Sequence, residues 1–291
     1  MDHEVTIRRA ETLADYRACQ AAQRTAWGIT EDGYVLPIAT MVGAQLHGGL
    51  VLGAFLPNGE AVGLSFAFLG RVEGRLGLYS QLTGVVPGYQ DRGIGGRLKL
   101  AQRDVARAEG LALIAWAFDP LQAGNARFNL DKLGATAGRY VEDMYGPRTD
   151  ALNAGTPTDR LIVAWEIEPT PRPTIAVEDA KNLPRLIVAE TRPDGRRIVA
   201  TTNLAPAGPW ALLEVPADIN RLRALDAALA DLWRLAVRQA FQAAFAAGYR
   251  AVGFLRFDDE GQPCGFYLLH RDLNGQKNPA TKVDAIEARK G

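Results

Sequence analysis

Leu82-Thr83-Gly84-Val85-Val86-Pro87-Gly88-Tyr89-Gln90-Asp91-Arg92-Gly93-Ile94-Gly95-Gly96-Arg97-Leu98 is the stretch from which the fold is read. An apolar run ends at Pro87, and a glycine-rich turn opens directly into a helical repeat. Ile94, Leu98, Ala101, Val105 and Ala108 recur at steps of three and four, on one predicted face. A helix start leaves backbone N–H groups without partners and carries a partial positive charge. Glycines at 93, 95 and 96 keep side chains off those amides, so phosphate oxygens can reach them. Arg92 and Arg97 can add charge-assisted hydrogen bonds. The alternative is a glycine-rich helix start that merely packs tightly. Gly84 inside a strand predicts a bulge, or another segment close to the backbone.

Working outward, LVLGAF (50–55), AVGLSFAFLG (61–70) and RLGLYSQLTGVV (75–86) are apolar runs separated by short turns, which predicts antiparallel hairpins. Upstream, residues 4–10 alternate as a strand. Thr12 is placed to cap a helix, and Pro37 suits the first turn of a second helix running to about His47. Downstream, LALIAWAF (111–118) is apolar throughout, as in a strand buried on both faces. A helix over 121–133 and strands near 136–144 and 160–168 follow. The antiparallel hairpins thus give way to a parallel β-α-β crossover over 82–118.

PTPRPT (169–174) reads as a linker. It divides the chain into domains at 1–168 and 175–291, in line with about two domains for 291 residues. The second half predicts strands at 186–191, 197–202, 211–216, 251–257 and 267–271, with one long helix over 221–247; residues 272–291 look polar and frayed. LEVP (213–216), a helix, Gly248 and a strand echo GVVP (84–87), a helix, Gly110 and a strand. Either a diverged duplication or the ordinary likeness of strand–helix–strand units accounts for this.

Lys+Arg and Asp+Glu are each 33, for a net charge of +0, so no global positive field draws the chain to nucleic acid or anionic lipid. No apolar run is long enough to predict a membrane span, and the start lacks the pattern of a secretory signal. A cytoplasmic location is expected. Cys19 and Cys264 are far apart and His3, His47 and His270 are isolated, which predicts neither a metal site nor a disulfide framework. Ser65 and Ser80 are the only serines, and neither lies in G-x-S-x-G. Cys19 falls on an apolar helix face and Cys264 in a turn, so covalent catalysis is not expected.

The Walker pattern fails for want of a following Gly-Lys-Ser/Thr, and Leu98 stands where G-x-G-x-x-G needs its third glycine. Gln90-Asp91-Arg92-Gly93-Ile94-Gly95 resembles instead the acyl-coenzyme A loop of the GCN5-related N-acetyltransferase (GNAT) superfamily, Gln/Arg-x-x-Gly-x-Gly/Ala. Val85-x-Pro87, Arg97-Leu98 and the element order over residues 4–168 match as well. Ala115 to Ala126, Asp150-Ala151-Leu152-Asn153 and Pro157-Thr158-Asp159-Arg160 resemble a branch of predicted GNAT proteins, some of which are thought to acylate amino acids, with succinyl-coenzyme A as one donor.

The resemblance implies an α/β (α+β) GNAT fold: a mixed central sheet with a splayed parallel strand pair, followed by a C-terminal α/β domain that reads as a degenerate GNAT-like half. It implies acetyl-coenzyme A or another acyl-coenzyme A as cosubstrate, no metal, and a small-molecule amine as acceptor. Val85, Val86, Gln90, Asp91, Arg92, Gly93, Ile94, Gly95, Gly96 and Arg97 would hold the cosubstrate, with Asn125 and Asn129 contributing from the next helix. A backbone N–H near Val85 would stabilise the oxyanion.

The family often carries a proton-donating tyrosine in Leu-Tyr-x-Lys-Leu-Gly-Phe. Here Asn129-Leu130-Asp131-Lys132-Leu133-Gly134-Ala135 has Leu130 at that place. Tyr140 and Tyr145 are candidate substitutes, or else ordinary strand tyrosines. Asp119 is a candidate general base or a helix cap. Only one of Glu142 and Asp143 can face inward, and His47 reads as a helix-end residue or a base. Ser80, Gln81 and Thr83 are placed to line the substrate pocket. The second half would shape the acceptor pocket or serve an oligomer contact such as a homodimer. A non-catalytic acyl-coenzyme A sensor and a tRNA-dependent aminoacyl transferase are the competing functions.

Overall fold

The computed structural model describes residues 4–146 and 155–272. His3, Asp150–Asn153 and the tail from 273 lie outside the described residues. The first half runs β1 (Thr6–Arg9), α1 (Leu13–Trp27), α2 (Ile38–Leu46), β2 (Leu50–Phe55), β3 (Ala61–Val72), β4 (Arg75–Val85), α3 (Ile94–Ala108), β5 (Leu113–Phe118), α4 (Ala123–Ala126), β6 (Thr136–Val141) and β7 (Arg160–Glu166). The second half adds α5 (Val177–Ala180), β8 (Ile187–Thr191), β9 (Arg197–Thr202), β10 (Trp210–Val215), α6 (Ile219–Leu225), α7 (Ala227–Ala246), β11 (Arg250–Asp259) and β12 (Gln262–His270).

Local chemistry explains the boundaries. Thr12 opens α1 with a capping box, its hydroxyl accepting from the Asp15 N–H while the Asp15 carboxylate accepts from the Thr12 N–H. The predicted helix over 221–247 is two helices. Asp226 is extended at φ −155° and its carboxylate accepts from the Leu229 N–H, which ends α6 and caps α7. The predicted helix over 121–133 continues after α4 as a π-helix from Arg127 to Lys132. Such bulges often mark functional sites.

Ten strands form one sheet in the order β1-β2-β3-β4-β5-β7-β6-β11-β12-β10, and β8-β9 form a separate hairpin. The halves join in that sheet where Ala251 of β11 pairs with Ala137 of β6. Alternating residues of β2 enter two cores, since Leu50, Leu52 and Ala54 pack on the α3 side and Val51 and Phe55 on the α1–α2 side. The first core is continuous with Trp233 and Phe241 of α7 and with Leu269 of β12. The echo between the halves stops at strand pairing: α3 connects neighbouring parallel strands, whereas β12 lies between β10 and β11. The 169–174 stretch holds no helix or strand, and its Arg172 donates to the Leu130 carbonyl at 2.8 Å.

β4 pairs with β3 from end to end, and β5 pairs with β7 over its whole length. Between β4 and β5 the parallel ladder has only the pairs Gly77–Leu113, Leu78–Ile114 and Tyr79–Ala115. Beyond Tyr79 and Ala115 the strands part. The register shift of β4 falls between Ser80 and Leu82, at Gln81. Gly84 pairs regularly with Leu64, so the glycine has another cause. A Cβ on Gly84 would lie 2.4 Å from the Trp27 indole, which packs against that backbone.

α7 is fastened to the first half by two arginines. Arg234 forms a bidentate pair with Asp119 at 3.3 and 3.1 Å. Arg238 donates twice to the fully buried Asp159, at 2.9 Å each, and Asp159 also accepts from the Tyr140 hydroxyl at 2.6 Å and the Asp143 N–H at 3.1 Å. Burial pushes the Asp159 carboxyl up, but these donors more than offset it, so it lies below the usual carboxylate range. Arg238→Met is expected to cost about 3 kcal/mol at pH 7, because it leaves a buried charge unpaired. Asp159 adds stability above its unfolded pKa near ~4 and loses it as pH falls through the depressed value, so the difference should shrink in acid. Urea unfolding of both proteins at pH 7 and pH 3 measures it.

Candidate functional site

The parted strands and the start of α3 adjoin. The Val86 N–H donates to the Val62 carbonyl of β3 at 2.9 Å, and the Val86 carbonyl accepts from the Tyr89 N–H at 3.0 Å. Both backbone groups of Val86 are therefore engaged within the protein. Backbone groups alternate sides along a strand, so those of Val85 face the gap toward β5. The Gln90 amide folds back there, donating to the Val85 carbonyl at 3.2 Å.

Gly93 caps α3 in the left-handed region at φ 73°, and no side chain caps the helix. The first intrahelical bond runs from the Arg97 N–H to the Gly93 carbonyl, so the amides up to Gly96 precede the ladder. An alanine in place of a helical glycine is worth up to ~1 kcal/mol. Yet the nearest atom to a Cβ would be Val85 Cγ2 at 3.9 Å for Gly95, and Phe128 Cε2 at 3.8 Å for Gly96. Tight packing within the protein does not require these glycines.

Two predicted anion contacts are arranged differently. Arg97 donates to the Val5 carbonyl at 2.7 Å, beside β1, and Arg92 lies over the Tyr89 ring at 5.0 Å. The Ile94 side chain is buried in the core, so only its backbone borders the loop. Asp91 adopts φ 61° in the turn.

The gap opens into a cavity of about 480 Å³. Gly95, Lys99, Phe128, Asn125 and Asn129 line it on one side, and Gln23, Trp27, Ile29 and Tyr34 on another. Ser80, Thr83, Trp116, Asp119, Tyr145 and Arg160 also border it. The structure thus brings Asn125, Asn129, Asp119 and Tyr145 to one place. Within the π-helix, Asn129 lines the cavity and its neighbour Leu130 is fully buried in the core.

Tyr140 does not join them. It is absent from the cavity wall, its hydroxyl is held by Asp159 and its ring stacks on Phe241 at 5.8 Å. Burial, with the Asp159 carboxylate, raises its pKa. Asp119 reaches the cavity but is doubly occupied, accepting from the Leu121 N–H at 3.0 Å and pairing with Arg234. Capping and ion pairing, rather than a free base, describe its contacts. Tyr145 is exposed, with the Arg160 guanidinium 5.3 Å from its ring.

A residue not singled out from the sequence is among the most buried of this wall. Lys99 is only 4% exposed and lies 3.9 Å from the Trp116 ring centroid. Its ammonium nitrogen donates to Ser80 Oγ at 2.8 Å and approaches Gln102 Oε1 at 3.4 Å. Gln102 donates to Ser65 Oγ at 2.9 Å, Ser65 Oγ is 2.9 Å from Thr83 Oγ1, and Thr83 is 3.4 Å from Ser80 Oγ. These hydrogen bonds close a ring. Burial lowers the Lys99 pKa to about 7. The buried face of α3 is therefore Ile94, Leu98, Lys99, Gln102 and Ala106, rotated from the predicted face.

No family model and no curated protein matches the sequence. Solved structures do. The ribosomal-protein-S18-alanine N-acetyltransferase of Escherichia coli aligns at TM-score 0.44 and 18% identity, over 60% of this chain and 100% of that one. The putative acetyltransferase yncA of Salmonella typhimurium, solved with its cofactor acetyl-CoA, aligns at 0.44 and 20%, over 59% and 99%. The IAA acetyltransferase of Bacillus cereus aligns at 0.42 and 18%, over 56% and 99%. The parallel pair that parts midway, in a mixed sheet, is the arrangement expected from the sequence resemblance.

Lys99 carries an energetic cost that a hydrophobe would remove. Its folded pKa is lowered, so the unfolded chain binds more protons between about pH 7 and the ordinary lysine value, and stability rises with pH across that window. Lys99→Met is expected to raise the thermal midpoint at pH 7 by ~2–4 °C or more, the shift for each kcal/mol in a domain of this size. The gain should shrink as pH is raised toward ~10, which calorimetry at pH 6, 7 and 9.5 tests.

Proposed function

We propose that the protein is an acyl-coenzyme A-dependent N-acyltransferase. It moves an acetyl group, or another short acyl group such as succinyl, to the amine of a small molecule by direct attack within a ternary complex. The observation that carries this reading is the parting of β4 and β5 after three ladder pairs, beside a helix start with uncapped amides. An extended arm with amide groups fits such a gap as an added strand does. The amides of residues 93–96 take the diphosphate, with the glycines leaving room. The backbone of Val85 bonds to that arm near the mouth of the gap, and a backbone N–H deeper in it stabilises the thioester oxyanion. Asn125, Asn129 and Phe128 bound the arm on the other side.

The acceptor enters past Gln23, Trp27 and Tyr34. Arg160, only 8% exposed at the far wall, suits an acceptor with a carboxylate, such as an amino acid. The amine must lose a proton and the sulfur must gain one.

Calorimetric titration with coenzyme A tests the first half of this reading, and labelled acetyl-coenzyme A with amino acids, polyamines and aminoglycosides the second. Binding is expected in the wild type and a loss of at least ~100-fold in Gly95→Arg, whose side chain fills the approach to the amides. Absence of binding to the wild type would overturn the proposal. Binding without transfer to any amine would make the protein a coenzyme A sensor rather than an enzyme.

A further inference from the structure

Lys99 has no part in the binding scheme above, and its position gives it one. We propose that Lys99 is the general acid of the reaction, its ammonium group protonating the thiolate that departs from the acyl group. The inference rests on the acyl-coenzyme A reading.

Three observations place the nitrogen. Gly95 and Lys99 line the same cavity from one helix, four residues or about 6 Å apart along its axis. The nitrogen bonds to Ser80, the β4 residue just past the last pair, Tyr79–Ala115, and lies on Trp116, the β5 residue just past it. It therefore occupies the apex of the gap. An arm anchored at residues 93–96 and laid down the gap brings its sulfur end to that apex.

The surroundings suit proton donation. Ser80 and Thr83 of β4, Ser65 of β3, Gln102 of α3 and Trp116 of β5 pack around the nitrogen or complete its hydrogen-bonded ring. The titratable and charged side chains of the cavity wall are Asp119, Arg160, Tyr34 and Tyr145, and none contributes to the lysine's shift, which burial alone produces. A buried amine near pH 7 has a labile proton to give, and a lysine in water does not. Among the described residues Lys99 is the only buried lysine.

The step balances. The amine nitrogen forms a bond to the carbonyl carbon, the tetrahedral adduct collapses, and the C–S bond breaks with its electron pair on sulfur. The Lys99 ammonium gives its proton to sulfur and becomes a neutral amine. The proton released by the acylated nitrogen passes to solvent, and one from solvent restores Lys99.

The test locates the sulfur of bound coenzyme A with Lys99→Cys and the proton transfer with Lys99→Met. Calorimetry is expected to give similar coenzyme A affinities, within ~3-fold. Coenzyme A disulfide should exchange with the thiol of Lys99→Cys to give a mixed disulfide, seen as added mass, which the wild type should not form. With any amine that the wild type acylates, kcat should fall by ~10²-fold or more at unchanged KM for acetyl-coenzyme A. If coenzyme A binds but no mixed disulfide forms, or Lys99→Met keeps its kcat, Lys99 is not the acid, and the coenzyme reading survives. If coenzyme A does not bind, that reading fails and takes this one with it.

Discussion

A strand in the middle of a sheet is normally paired on both edges, because an unpaired buried backbone group costs as much as a lost hydrogen bond. β4 and β5 break that rule. Each is committed along its whole length to its outer partner, β3 or β7, and the two share only three ladder pairs. The outer pairings hold them apart. Two inward-facing backbone edges then lie at the mouth of a helix whose first amides no side chain caps. The proposed binding of coenzyme A rests on that sheet division. The cavity, the Val85 backbone and the glycine-lined approach all lie along it.

The apex of the division is polar where a hydrophobic wedge would be more stable. Ser65 and Ser80, the only serines in the chain, are both in the ring that holds Lys99. Thr83 joins them because the irregularity at Gln81 resets the alternation of β4. A fully satisfied buried network rigidifies its surroundings. A lysine kept there against its desolvation cost is the kind of local conflict that functional sites preserve and cores eliminate. The C-terminal half fixes the opposite wall, Arg234 holding Asp119 and Arg238 holding Asp159 next to Arg160.

Most of the scaffold was legible in the residues. Hydrophobic alternation and glycine punctuation place β2, β3, β4 and β5 to within about two residues, and Thr12 marks the start of α1 as it should. The helix start at Gly93 was equally plain. The misreadings have identifiable causes. Lys99 and Gln102 look like a solvated face, since a helical repeat cannot reveal that serines on two strands will meet them. Scarcity of serine, with both residues on neighbouring strands, was the available signal. Asp226 breaks a long apolar repeat through a cap that propensity alone does not weigh. Gly84 answers to Trp27, some 57 positions earlier in the chain, a tertiary contact that no local pattern encodes. The docking of β11 beside β6 was hidden for the same reason, for an edge strand and a central one share one pattern.

Hydrogen–deuterium exchange with and without coenzyme A addresses the division of the sheet most directly. The account predicts slowed exchange at Val85, at residues 116–118 of β5 and at the amides of residues 93–96, with little change along β10, β11 and β12. Protection confined to the C-terminal half, or none in the gap while coenzyme A is demonstrably bound, would contradict it.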